Sequence, residues 1–248
     1  MQRYIQFSSR SLVLLLVTTS LVMGQKAQPT QPAKQPVVPG AYPDAHLAVY
    51  RNAMSLQDYA TAISALHYIL AANPTGAPYA DTLALVYAQT GQFVQAGRLA
   101  EVQLAAKGYS DLRMEVKALA NSQLKNWVKA IDAYGALFEK TQKPVFGFEK
   151  LKLEYDIKRM GEAALTAEQL LKVVPATDSS QLQVAMLDGK QVQTVAFRAG
   201  LLNLQGLILL ELKKRDMALA AFNEALKLNP DFEQAKNNLT VANAIAAK

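Results

Sequence analysis

The sequence predicts an all-α protein, an α-solenoid of about five helix-turn-helix repeats closed by a C-terminal capping helix. The first observation is an alanine that recurs at one register, each time shortly after a polar turn. The second is helical spacing of apolar residues between the turns, as in Leu83 and Tyr87 or Phe93 and Ala96. The recurring alanines are Ala62, Ala96, Ala130, Ala163 and Ala218, spaced by 34, 34, 33 and 55 residues. The last spacing is one further period plus an insertion of about 21 residues.

Composition supports a folded domain and excludes several classes of protein. The chain has 248 residues, of which 51% are hydrophobic, enough for a substantial core. It has no cysteine, which excludes disulfides, thiolate metal sites and a cysteine nucleophile. Four of the 26 basic residues precede position 41, so the rest of the chain has 26 − 4 = 22 basic against 20 acidic groups. A domain so close to neutral lacks the basic surface of a nucleic-acid binder.

Residues 1–24 have the pattern of a secretory signal peptide. Arg3 and Arg10 precede an apolar run at 12–23, and cleavage is expected before Gln25. The run is shorter than the roughly 20 residues of a membrane span. A periplasmic or secreted location is therefore expected, the alternative being a protein anchored to the inner membrane by an uncleaved N-terminal segment.

Residues 25–42 are expected to link the leader to the folded domain. The segment is rich in proline and glutamine and has no apolar periodicity. It is interpreted either as an extended tether, partly in the polyproline II conformation, or as a disordered start of the mature chain.

The repeats divide the remainder of the chain. Residues 43–175 are predicted to hold four repeats and residues 197–230 a fifth, with Pro74, Gly108, Pro175 and Pro230 ending units. Residues 231–248 are predicted to be the capping helix. Its apolar stripe is Phe232, Ala235, Leu239 and Ala242, with Asn237, Asn238 and Asn243 away from that stripe.

The insertion at 176–196 does not follow the repeat. Apolar residues alternate with polar ones on both sides of Asp188 and Gly189, a pair favoured in two-residue hairpin turns. Two interpretations remain open at this point, a small β-hairpin and an irregular loop. Either one could add to a binding face.

The repeat resembles that of the tetratricopeptide repeat family over about residues 43–230. The last unit carries the resemblance best, and the second unit follows it. The matching residues are Gly206, Leu209, Ala218, Phe222, Ala225 and Pro230 in the last unit and Ala84, Tyr87, Gly91 and Ala96 in the second. The other three units lack the small residue of the first helix or the glycine of the turn. The resemblance implies a solenoid that serves as a binding scaffold for a partner.

The resemblance also implies which residues face the concave groove lined by the first helix of each repeat. This stripe is mixed in sign and partly aromatic, and it lacks the basic and amide array that relatives use for acidic C-terminal peptides. The implied partner-binding residues are Arg51, Asp81, Gln89, Glu115, Gln123, Phe148, Lys152 and Tyr155.

Catalytic and metal-binding motifs are not found in the sequence. His46 and His67 have no companion acid at a suggestive spacing. Glu149, Glu154 and Asp156 could form an acid and base pair for glycan cleavage, but lysines alternate with them, which favours a solvated helix. We therefore expect no catalytic residue, no metal site and no cofactor.

The sequence favours a non-catalytic interaction scaffold of the bacterial cell envelope. In this hypothesis the concave groove binds a peptide or helix of another envelope protein, without nucleic acid or a small-molecule cofactor. Membrane contact is expected only through an uncleaved leader. The alternatives are an enzyme or enzyme accessory acting on cell-wall glycan and a structural subunit of an envelope assembly.

Overall fold

A computed structural model describes residues 42–73, 77–187 and 190–244. The predicted leader, nearly all of the linker, Pro74 and the Asp188-Gly189 turn lie outside these residues. The described part contains eleven helices and two strands. They are α1 (Tyr42–Ser55), α2 (Tyr59–Ala72), α3 (Ala77–Gln89), α4 (Phe93–Lys107), α5 (Asp111–Gln123), α6 (Trp127–Thr141), α7 (Pro144–Asp156), α8 (Met160–Val173), β1 (Gln181–Ala185), β2 (Val192–Ala196), α9 (Phe197–Glu211), α10 (Arg215–Leu228) and α11 (Glu233–Ala244).

The helices form five stacked pairs, α1/α2 to α9/α10, followed by α11. The first helices of the pairs, α1, α3, α5, α7 and α9, form one layer, and the second helices form the other. The predicted solenoid is therefore confirmed. The repeat alanine lies where the two helices of a pair cross, and a larger side chain there would hold the axes apart. All five of these alanines are 0% exposed.

The turn inside each pair has the same geometry in all five repeats. The second residue after the first helix has a positive φ, and the next amide donates to a carbonyl five residues back, as in Gln92 N to Tyr87 O at 2.8 Å. Gly91 suits this left-handed conformation. The other four repeats adopt it without glycine, at Gln57, Lys125, Lys158 and Lys213. Tertiary packing of the two helices therefore fixes the turn even where the sequence lacks its usual residue.

The insertion forms an antiparallel hairpin of β1 and β2, with Leu182 opposite Val195. Leu182 lies directly over Gly200 of α9, where a Cβ would collide with its side chain. Val184 and Val195 are buried against α9, α10 and α11. Side chains near the start of α11 also hold the hairpin, for example Gln234, which donates to Ala185 O. The hairpin is therefore an integral part of the last repeat.

The capping helix α11 packs against α9 and α10. Asn238 was expected to lie away from the apolar face, but this is wrong, because the residue is only 9% exposed. Its side-chain amide donates to Asn203 Oδ1 at 2.9 Å, and Asn203 itself is 1% exposed. Side-chain amides can be buried when they form hydrogen bonds with each other. This pair joins α11 to α9.

Within the described residues, no helix has both the length and the apolar character to cross a membrane.

Candidate partner-binding groove

One residue of each first helix lies at the same register position, in the middle of the stripe that the resemblance to tetratricopeptide repeats predicts to face the groove. This residue lies eleven positions before the repeat alanine, so its place in the fold repeats from unit to unit. The five residues are Arg51, Leu85, Leu119, Lys152 and Leu207, and we call them the central row. Arg51 is exposed and the other four are half-buried. A half-buried side chain packs on its own repeat and leaves its outer side available for contact.

Four of the predicted groove residues belong to the polar part of this surface. Arg51, Gln89 and Glu115 are exposed and Gln123 is half-buried. Although Glu115 is exposed, neighbouring protein atoms desolvate its carboxyl and raise its pKa, an effect that the positive charge of Lys143 opposes. The side chains come from α1, α3 and α5, so the stacking of the first helices distributes polar groups along the surface.

Asp81 holds two repeats together. Arg113 Nε donates to its Oδ1 at 2.7 Å and Arg113 Nη2 to its Oδ2 at 2.8 Å, a bidentate ion pair between α3 and α5. The two side chains are only 16% and 11% exposed. The Asp81 carboxylate is therefore already engaged within the protein, and its predicted contact with a partner stays a prediction.

Phe148 is a core residue. Its side chain is 6% exposed, and its ring lies 5.2 Å from the ring of Phe197 in α9. The prediction that it faces a partner is therefore not supported by its position. The reason is the approach of the last repeat, because Phe197 covers the face of α7 that an isolated repeat would expose.

Lys152 and Tyr155 are both half-buried on α7. Lys152 Nζ lies 2.6 Å from Glu149 Oε1 and 5.6 Å from the ring centroid of Phe148. Lys158 Nζ lies 5.2 Å from the ring centroid of Tyr155. The charges of this part of the surface are thus largely engaged with neighbouring groups.

Glu154 contradicts the expected solvated helix. It is 0% exposed, and neither of its carboxylate oxygens has a hydrogen-bond partner among the described residues. Lys150 Nζ lies 3.4 Å from Oε1 and also donates to Thr166 Oγ1. Burial raises the pKa of Glu154, and the Thr166 hydroxyl and the nearby Lys150 ammonium group oppose this shift. The periodicity of α7 alone does not show that α8 covers the face of α7 on which Glu154 lies.

The carboxylates proposed for glycan cleavage do not converge. Glu154 is enclosed in the core, Glu149 is paired with Lys152, and Asp156 is exposed. A concavity of about 220 Å³ lies elsewhere, between α4, α5 and α6, and contains none of the three. Acid and base groups must face one enclosed site to cleave a glycan, and these three do not.

The two histidines take part in packing contacts of the first repeat. The His67 Nε2 and Tyr87 Oη atoms lie 2.7 Å apart, which links α2 to α3. His46 stacks on Tyr68 with ring centroids 4.9 Å apart. Trp127 begins α6 and packs half-buried against the main core cluster.

Sequence reasoning did not identify the leucines of the central row. Leu85, Leu119 and Leu207 look like ordinary core residues in a helical pattern, because their helices are apolar on several sides. The signal that could have found them is the register itself, since each stands where Arg51 and Lys152 stand in their repeats.

Comparison with known proteins agrees with the helical-repeat fold. The tetratricopeptide repeat family matches residues 199–232. The crystal structure of MamA protein superposes with a TM-score of 0.62 at 16% identity, covering 77% of this chain and 93% of that one. YrrB, described as a tetratricopeptide repeat protein with an unusual peptide-binding site, gives a TM-score of 0.61 at 13% identity, covering 79% of this chain and 96% of that one.

A search of the curated proteins found none that matches the chain. At these identities the structural likeness establishes the fold, and the family match identifies one repeat directly. The repeat alanines and the five equivalent turns extend that repeat along the chain. Residues 199–232 are therefore a tetratricopeptide repeat, and the chain has the fold of tetratricopeptide repeat solenoids.

Proposed function

We propose that this protein is a non-catalytic interaction scaffold of the bacterial cell envelope, exported by its N-terminal leader, and that its groove binds a peptide or helix of another envelope protein. Tetratricopeptide repeat folds are scaffolds for protein interactions. The single observation that supports the groove assignment is the central row, which has one exposed or half-buried side chain at the same register position of each first helix. The sequence pattern of residues 1–24 supports the envelope location.

The proposal is tested by photocrosslinking from two positions in living cells. A photoreactive amino acid at Gln123, in the groove, should capture a defined envelope protein. The same amino acid at Leu165, a 62% exposed residue of the second-helix layer, is the matched control and should not capture it. Equal capture from both positions would argue against a groove-specific interaction.

A combined substitution tests the surface as a unit. Replacing Arg51, Gln89 and Lys152 by alanine should abolish crosslinking from Gln123 and leave the helical circular dichroism unchanged, since such positions contribute little to stability. Asp81 is left intact because it joins two repeats.

The hairpin offers a distinct binding face, and its exposed residues provide the opposing test. Gln183 and Thr194 are exposed and opposite each other in the hairpin. If capture survives the groove substitutions and fails when these two residues are replaced by glutamate, the hairpin is the recognition element.

Export is tested separately. A fusion of residues 1–42 to a reporter that is active only outside the cytoplasm should be active, and the mature protein should begin at Gln25. Replacing the apolar run by polar residues should abolish reporter activity. A reporter that stays inactive with the intact leader would contradict the envelope location.

A further inference from the structure

The first repeat exposes a surface without charged residues on both of its helices. Exposed residues recur at helical spacing along one stripe of α1 and its turn and along one stripe of α2, and none of them is aspartate, glutamate, lysine or arginine. We call these residues the first-repeat face: Ala45, Ala48, Val49, Asn52, Leu56, Ala60, Thr61, Ser64, Tyr68 and Ala71. Val49 is 44% exposed, Leu56 70% and Tyr68 61%. Three large apolar side chains of one repeat are thus in contact with solvent.

The two stripes are joined at both ends. Leu56 and Ala60 lie on either side of the turn between α1 and α2. Asp58, in that turn, is the N-cap of α2 and accepts a hydrogen bond from Thr61 N at 3.1 Å, so its carboxylate is engaged with the helix. Farther along the helices, the ring of Tyr68 stacks on the ring of His46 in α1, with centroids 4.9 Å apart. The first-repeat face is therefore one surface that extends from the turn to this ring pair.

The other second helices have charged residues at the positions that correspond to the α2 stripe. These positions lie two and one residues before the repeat alanine and two, six and nine residues after it. The exposed charged residues found there are Arg98 in α4, Lys129, Asp132 and Glu139 in α6, Glu162 and Lys172 in α8, and Asp216, Glu224 and Lys227 in α10. The lack of charge on α2 is therefore a property of the first repeat and not of the repeat fold.

The two ends of the solenoid differ in the same way. The last repeat is covered by α11, which exposes polar side chains such as Lys236, Thr240 and Asn243. Within the described residues no helix covers the first repeat in this manner. A terminal repeat needs a polar outer surface to remain soluble by itself. A terminal repeat that instead exposes apolar side chains gains free energy when another apolar surface covers it.

A second copy of this protein suits the first-repeat face better than two other covers. Residues 25–41 contain Lys26, Lys34 and four prolines without apolar periodicity, so they provide no apolar stripe. Contact with α11 of another molecule would bring the exposed ammonium group of Lys236 towards an apolar surface, where an unpaired charge is costly. In a two-fold contact the same surface meets itself, and any charged residue would meet its own like charge. The first-repeat face avoids this repulsion because it has no charged residue.

We infer that the protein forms a two-fold symmetric dimer in which the first-repeat face of one copy packs against the same face of the other. Burial of the exposed apolar side chains drives this association. Tyr68 contributes most to it, because aromatic side chains dominate the binding energy of interfaces. The inference goes beyond the proposed function and does not depend on it, since no residue of the first-repeat face belongs to the central row.

Sedimentation velocity of the purified protein provides the first test. A species of twice the monomer mass should be present, and its fraction should rise with protein concentration. Tyr68→Glu introduces a carboxylate on each side of the contact and should weaken association at least about tenfold. Leu165→Glu is the matched control, because Leu165 is 62% exposed against 61% for Tyr68 and lies in the same layer of second helices. This variant should associate like the unsubstituted protein, and both variants should keep their helical circular dichroism.

Single cysteines identify which surfaces meet, because the chain has no cysteine of its own. In cells that express the full chain, Ser64→Cys should give a covalent dimer with a thiol-specific crosslinker, and Leu165→Cys should not. This test leaves Tyr68 in place, so it holds even if Tyr68→Glu fails to fold. When Ser64→Cys and Thr240→Cys chains with different tags are expressed together, the Ser64 pair should form and the mixed pair should not.

Three results would overturn the inference. A protein that stays monomeric at every concentration and gives no Ser64 pair has no such dimer. A mixed pair between Ser64→Cys and Thr240→Cys chains, formed in preference to the Ser64 pair, would mean that copies associate head to tail. Capture of a different protein from Ser64→Cys without any dimer would mean that another partner covers the first-repeat face. None of these results affects crosslinking from Gln123, which decides separately whether the groove binds an envelope protein.

Discussion

Replacing Gly206 by alanine is expected to destabilise the last repeat by about 2 kcal/mol. Gly206 lies in α9 against Phe222 of α10, whose ring is 0% exposed. An added Cβ would lie 2.7 Å from both Cδ1 and Cζ of that ring and closer still to Cε1. Carbon atoms in contact prefer about 3.5–4.0 Å, so the ring or the helix must move by about 1 Å.

The magnitude follows from two opposing effects. Overpacking a core costs about 1–3 kcal/mol, and a fully enclosed ring has little freedom to relax, which favours the upper end. Alanine improves helix propensity over glycine by about 1 kcal/mol. The net loss is therefore about 2 kcal/mol, or about 4–8 °C in Tm for a domain of this size.

Thermal unfolding followed by circular dichroism provides the measurement, with Gly161→Ala as the matched control. Gly161 is also helical, in the first turn of α8, but an added Cβ there has nothing within 4 Å. This variant should be neutral or stabilised by up to about 1 kcal/mol. If both variants unfold at the same temperature, the close approach of α9 and α10 does not constrain position 206, and the explanation of its small residue is wrong.

Three further predictions concern helix packing and ion pairs. Ala96→Leu should lower the free energy of unfolding in urea by about 1–3 kcal/mol, because Ala96 is 0% exposed at a helix crossing. An unchanged midpoint of the urea transition would mean that the alanine register has no packing role. Arg113→Met and Asp81→Asn should show a coupling energy of about 1–2 kcal/mol in a double-mutant cycle, and simple additivity would contradict an ion pair that joins repeats. Lys150→Met should lower the free energy of unfolding by about 3 kcal/mol near pH 7 and by less near pH 4, because it removes the ammonium group beside the buried Glu154 carboxylate. The pKa of Glu154 in the folded protein is raised above 4.5, so the contribution of this group to stability is largest below that pH and is lost as pH rises through the folded pKa. An equal loss of stability in the Lys150→Met variant at both pH values would refute the role of Lys150 in compensating the buried carboxylate.

Local sequence patterns predicted the helices well. The alanine register, the helical spacing between turns and the last repeat from Gly206 to Pro230 depend on residues close together in the chain, and helices are stabilised by local hydrogen bonds. The hairpin could be offered only as one of two alternatives, because short alternating runs occur in both loops and strands. The structure favours the hairpin because α9 and α11 bury Val184 and Val195.

The groove residues were predicted less completely, because their burial depends on contacts with distant parts of the chain. The groove positions were implied by the resemblance to tetratricopeptide repeats, and Arg51, Gln89 and Gln123 remain predicted groove residues that are exposed or half-buried. Burial of Phe148 depends on contact with Phe197, about fifty residues away in the chain. Periodicity within one helix contains no information on which distant helix covers a given face.

The sequence by itself determined the repeat, its number of units and the close crossing of each helix pair, because these features arise from residues within one period. Only the tertiary structure decided which polar groups are engaged internally. Asp81 is paired across two repeats and Asn238 is buried against Asn203, while Glu154 is enclosed between neighbouring helices. A polar side chain has the same appearance in sequence whether water or a distant partner satisfies it, and the stacking of helices decides between the two.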